Sequence, residues 1–125
     1  MSGKFALVIE DDRDEALLFA KAVETTAFEV EIVYSGDTAL ARLATVTPDL
    51  VVLDLHIPRT TGIEVLRHIR GDARLQETHV IVVTGDPQTA ESIRDEADLV
   101  LIKPVGFDQL RNLAERVTSA AAPDE

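Results

Sequence analysis

Four short stretches of this chain carry side chains able to do polar chemistry, and each follows an apolar run. Glu10-Asp11-Asp12 follow Phe5 to Ile9, Asp54 follows Leu50 to Leu53, Thr84-Gly85 follow Val80 to Val83, and Lys103-Pro104 follow Leu99 to Ile102. Carboxylates crowded together repel, so they stay protonated or splay apart unless a cation sits among them. Clustered oxygen ligands suit a hard divalent ion, Mg²⁺ foremost (or Mn²⁺), which keeps several waters and leaves room for a phosphoryl group. In such a setting Asp54 is suited to act as a nucleophile and form an aspartyl phosphate. Lys103 would offer a positive charge to the phosphate oxygens, and the Thr84 hydroxyl a hydrogen bond. The metal would offset the remaining repulsion, as in phosphoryl transfer generally.

That chemistry requires a fold that gathers the four stretches. Five short runs rich in Val, Ile and Leu read as strands: Phe5 to Ile9, Val30 to Tyr34, Leu50 to Leu53, Val80 to Val83 and Leu99 to Ile102. Four are continuous, as in strands buried on both faces, whereas Glu31 interrupts Val30 to Tyr34 and fits a sheet edge. Helical spacing lies between them: Ala16, Phe19, Ala20 and Val23; Ala39, Leu40, Leu43 and Ala44 after the N-cap candidate Ser35; Val65, Leu66 and Ile69 after Gly62. Pro87 suits a helix start, with the helix running through Glu96 and Ile93 as its one strong core residue. Phe107, Leu110, Leu113, Ala114 and Val117 give the clearest stripe. Strand and helix alternate five times, which predicts an α/β fold, a parallel sheet with helices on both faces. Ligands of such open sheets bind outside the carboxyl ends of the strands, where the polar stretches fall.

The chain has 125 residues, enough for one domain and its core. Its 12 basic and 23 acidic side chains leave a net charge of −11, which disfavours direct nucleic-acid binding. A hydrophobic share of 46% excludes a disordered acidic tail. There is no cysteine, hence no disulfide, thiolate metal site or thiol catalysis, and this suits a cytoplasmic location. No apolar run nears the roughly 20 residues needed to span a bilayer, and the first residues lack a signal-peptide pattern. The expected layout is one domain over 1–119 with a short tail, 120–125, and no output domain.

Taken together and in order, these motifs resemble the response-regulator receiver domain of two-component signalling. Val8-Ile9-Glu10-Asp11-Asp12 is similar to the family's acidic pair, and Pro48 to Pro58 with Gly62 to its phosphoacceptor block. Val82-Val83-Thr84-Gly85 and Ile102-Lys103-Pro104 are similar to its switch-hydroxyl and lysine blocks. The resemblance covers Lys4 to about Val117 and implies a flavodoxin-like, doubly wound (βα)5 three-layer sandwich with strand order 2-1-3-4-5. It implies that Asp54 accepts phosphate from a sensor histidine kinase or a histidine phosphotransfer protein. It further implies that Glu10, Asp11, Asp54 and the His56 backbone carbonyl hold the metal, and that Thr84, Gly85 and Lys103 bind the phosphoryl group. The Lys103–Pro104 peptide is expected to be cis. Of the three consecutive acids, Glu10 and Asp11 are assigned to the metal and Asp12 to a helix N-cap. Such a domain is a switch acting on a downstream protein target, catalysing only its own phosphorylation and dephosphorylation; a homodimer is left open.

The departures from the family pattern lie away from this chemistry. Val100 stands where the family usually has Tyr or Phe, Leu99 replaces an acid used in dimers of the DNA-binding subfamily, and Val105 replaces a common Phe. His56 and Asp86, two residues beyond Asp54 and Thr84, are expected to tune phosphate lifetime. His56, His68 and His79 lack metal-ligand spacing, and Gly62 reads as a turn or helix-start requirement. Two other readings compete. A flavin carrier would need a hydroxyl- and glycine-rich cradle after the first strand, where this chain has five acids in six residues (Glu10 to Glu15). A degenerate receiver acting as a phosphorylation-independent interaction module would normally have lost the acids, Asp54 or Lys103.

Overall fold

The computed structural model describes residues 4–120. Strands and helices alternate: β1 (Lys4–Ile9), α1 (Arg13–Glu24), β2 (Phe28–Val33), α2 (Gly36–Leu43), β3 (Leu50–Asp54), α3 (Gly62–Gly71), β4 (His79–Thr84), α4 (Pro87–Ser92), β5 (Leu99–Ile102) and α5 (Phe107–Ala120). All strand pairs are parallel and the sheet order is β2-β1-β3-β4-β5, the flavodoxin-like arrangement.

Successive strand residues face opposite sides of a sheet, and here each side has its own core. Leu7, Ile9, Val51, Leu53, Val80 and Val82 pack with Ala39 and Leu43 of α2, Val65, Leu66 and Ile69 of α3, and Ile93. Ala6, Val8, Leu50, Val52, Ile81 and Val83 pack with Phe19, Ala20 and Val23 of α1 and Leu110 and Ala114 of α5. The helix starts follow local chemistry. Asp12 caps α1 through Glu15, Ser35 caps α2 through Thr38, and Thr61 forms a reciprocal capping box with Glu64 on α3.

Several boundaries differ from the sequence reading. The strand β2 starts at Phe28, earlier than Val30, and does lie at an edge. The run Leu99 to Ile102 is not buried on both faces: β5 is the other edge, with Ile102 41% exposed and Leu99 and Val100 half-buried. The helix at Pro87 ends at Ser92 instead of Glu96, because Ile93 leaves helical geometry (φ −118°, ψ 10°) to enter the core, and a 3-10 turn, Arg94–Glu96, follows. The last helix reaches Ala120, one residue past the expected domain end, and the rest of the tail, 121–125, lies outside the described residues.

At the amino ends of β4 and β5, Arg70 donates to the Glu96 and Thr78 carbonyls at 2.7 and 3.2 Å and to Asp98 Oδ2 at 3.1 Å. The same Asp98 oxygen accepts from Val80 N at 2.6 Å, and Asp98 Oδ1 lies 3.4 Å from His79 Nδ1. A cleft of about 430 Å³ opens there, at the end of the sheet opposite Asp54. Much of its polar lining is therefore occupied in fastening β5 to β4 and α3.

Candidate functional site

Register brings the polar stretches together. Ile9 pairs with Leu53, so Glu10 and Asp54 are the next residues along two adjacent strands. Asp54 pairs with Val83, and Thr84 with Ile102, which puts Lys103 one step beyond Thr84. The Lys103 N–H donates to the Thr84 carbonyl at 2.8 Å, and the Leu55 N–H to the Val83 carbonyl at 3.1 Å. These bonds extend the ladder past the strand ends and fix the site to the rigid sheet.

Glu10 and Asp54 are buried, at 1% and 2% exposure, whereas Asp11 is exposed at the mouth. One carboxylate oxygen from each of Glu10, Asp11 and Asp54 lies within 4.8 Å of the others. Asp54 Oδ1 accepts from the His56 N–H at 2.9 Å, and Oδ2 from Lys103 Nζ at 3.2 Å. Glu10 Oε2 accepts from the Asp12 N–H at 3.1 Å, while Oε1 is buried without a hydrogen-bond partner. Burial, reinforced by the neighbouring Asp54, pushes the Glu10 carboxyl up to about 8. A buried carboxyl oxygen with no donor, beside two further carboxylates, is a donor set suited to a hard divalent cation.

Lys103 is the basic group of the cluster. Its ammonium lies 2.8 Å from Glu15 Oε1, 3.2 Å from Asp54 Oδ2 and 3.6 Å from Glu10 Oε1. Burial opposes its charge, but pairing with Glu15, Asp54 and Glu10 prevails and holds it above the usual lysine range. The Lys103–Pro104 peptide is cis. Thr84 is fully buried, and its Oγ1 accepts from the Asp86 N–H at 3.1 Å, which leaves the hydroxyl proton available. Gly85 is exposed, with open space where a Cβ would stand.

Other residues serve the frame. The Asp86 carboxylate caps α4, accepting from the Gln88 N–H at 3.0 Å and the Thr89 hydroxyl at 2.7 Å, and these bonds, Thr89 first, hold it below the usual carboxylate range. At Gly62, a Cβ would run into Leu55 Cα and lie 2.7 Å from the Asp54 carbonyl oxygen, so α3 can start this close to β3 only with glycine. Gly36 packs in the same way against the Thr60 backbone. Glu15 is the residue of the site that sequence reasoning missed. The acidic run Glu10 to Glu15 was visible, but only the helix starting at Arg13 shows that its last member turns back to Lys103.

A family model for the response regulator receiver domain matches residues 6–115. The response regulator MprA of Mycobacterium sp. (strain KMS) is 30% identical over 122 residues, which cover 95% of this chain and 52% of that protein. The phosphate regulon transcriptional regulatory protein PhoB of Rhizobium meliloti is 29% identical over 120 residues, 94% of this chain and 53% of that protein. The chain thus spans about half the length of the curated relatives it matches. Among solved structures, the signal receiver domain of a signal transduction histidine kinase from Syntrophus aciditrophicus superposes with a TM-score of 0.85 at 28% identity, covering 99% of this chain and 96% of that one.

Proposed function

Since the chain belongs to the response regulator receiver family, whose members are phosphorylation-dependent signalling switches rather than dedicated enzymes, we propose that Asp54 is its phosphoacceptor. The donor is a sensor histidine kinase or a histidine phosphotransfer protein. The Asp54 carboxylate attacks phosphorus, an O–P bond forms and the donor's N–P bond breaks. The imidazole nitrogen leaves with the electron pair and is protonated by solvent. The backbone N–H of His56 and the Lys103 ammonium, at 2.9 and 3.2 Å, orient the carboxylate for that attack. Lys103 then pairs with a phosphoryl oxygen, the Thr84 hydroxyl donates to another, and the Gly85 backbone lines the same space.

Glu10, Asp11, Asp54 and the His56 carbonyl would hold Mg²⁺ or Mn²⁺, which supplies charge neutralisation for the incoming phosphoryl oxygens. The unpartnered Glu10 oxygen supports this. Pro104 follows Lys103 as a structural residue of the site. The switch is read by a downstream protein target, in the cytoplasm and without direct nucleic-acid contact by this domain. No helix among the described residues is long and apolar enough to cross a membrane.

The observation that carries the reading is the convergence of Asp54, Glu10 and Lys103 at the carboxyl end of the sheet. Incubation with acetyl phosphate and Mg²⁺ should add one phosphoryl group by intact mass. Asp54→Asn should abolish it, and undiminished labelling of that variant would overturn the assignment.

A further inference from the structure

The carboxylate nearest to Lys103 is not the proposed phosphoacceptor. Glu15 Oε1 is 2.8 Å from the ammonium, against 3.2 Å for Asp54 and 3.6 Å for Glu10. Glu15 stands in the first turn of α1, across the site from β3. Its side chain is 40% exposed, yet Oε1 itself is buried against the Lys103 ammonium. Among the described residues, Lys103 is the cation paired with that oxygen.

The same two residues border a second feature. Glu15 and Lys103, with Leu18, Phe19, Pro104 and Val105, line an open groove of about 390 Å³ along α1. The pair therefore sits on the boundary between the groove and the acidic cluster.

We propose that Glu15 is a positioning residue that holds Lys103 back from the reaction centre until a phosphoryl group draws it away. The inference rests on the receiver reading of Asp54. In the resting protein the ammonium lies closest to Glu15 and Asp54, at 2.8 and 3.2 Å. A phosphoryl group on Asp54 brings new anionic oxygens on the β3 side, and Lys103 must give up Glu15 to meet them. Breaking that pair is a cost borne on the way to the phosphorylated state, so Glu15 slows phosphorylation. A half-exposed ion pair is worth at most about 1 kcal/mol, so its loss should accelerate phosphorylation by up to about fivefold.

Glu15→Gln keeps the shape and removes the charge. With acetyl phosphate as donor, the Asp54 carboxylate displaces acetate from phosphorus, and the initial rate by intact mass should rise about threefold to fivefold. The advantage should shrink toward unity as salt screens the pair, a dependence that a purely structural role of Glu15 would not produce. In protein carrying ¹⁵N-labelled lysine, the Lys103 Nζ signal of the variant should differ from wild type before phosphorylation and coincide with it afterwards. A rate at or below wild type, or a gain unaffected by salt, would overturn the proposal. Labelling that persists in Asp54→Asn would instead overturn the receiver reading, so the two failures are separable.

Discussion

Replacing Glu10 with Gln removes the charge least suited to its surroundings. Gln retains an oxygen to accept the Asp12 N–H, and its amide can donate toward Asp54 in place of the buried, unpartnered oxygen. The sign follows from linkage. The folded-state value of Glu10, about 8, lies above its ordinary value of 4.5, so between these limits the folded protein binds more protons than the unfolded chain. Wild-type stability without metal therefore falls as pH rises through this window, and the variant lacks that loss. At about 1.36 kcal/mol per pH unit, the interval from 4.5 to about 8 sets a ceiling of roughly 5 kcal/mol. The high effective dielectric at a site that opens to solvent at exposed Asp11 reduces it to about 2–4 kcal/mol above pH 8, with little difference near pH 4.5. Urea unfolding from pH 4.5 to 8.5, with and without Mg²⁺, measures both terms. Mg²⁺ should stabilise wild type at pH 8.5 and Glu10→Gln much less. A variant no more stable than wild type at pH 8.5 without Mg²⁺, or one whose advantage is the same at every pH, refutes the reasoning.

Two further outcomes concern the frame. Gly62→Ala should cost about 1–3 kcal/mol in chemical denaturation, because the added methyl meets β3 backbone rather than a side chain that could move. It should also slow acetyl phosphate labelling by displacing the Asp54–Leu55 segment. Ala27, in the turn between α1 and β2, has φ of 72°, so Ala27→Gly should raise the stability measured by urea unfolding by about 0.5–1 kcal/mol while leaving phosphorylation unchanged.

The parts of the fold that follow from periodicity were legible in the chain. Strand β5 was placed to the residue; Ser35 was found as a cap because a short acceptor precedes a helical stripe, and Asp12 as the acid left over once Glu10 and Asp11 were assigned to the metal. The end of α4 was not, since helical spacing carries no mark of the point where Ile93 is pulled inward. Nor was the exposure of β5: its continuous apolar run reads like a central strand, although the implied strand order already puts it at an edge. In the site, Glu10, Asp54, Thr84 and Lys103 were legible because they end strands that a parallel sheet must align. Glu15 and the Asp98–Arg70 contact were not, because each depends on a long side chain crossing between elements.

The shortness of α4 bears on how a signal would leave the site. Six residues are well below the length at which a helix supports itself in water. Its helicity is conferred from its ends, by the Asp86 cap and Pro87 at one and by buried Ile93 at the other. The first end is tethered to Thr84, whose Oγ1 accepts the Asp86 N–H. A hydroxyl turned toward phosphate would load that tether and change how often the segment opens and how long it stays closed. In that case the message would be written in the residence time of one helical turn, and a reader protein would respond to a lifetime as much as to a shape.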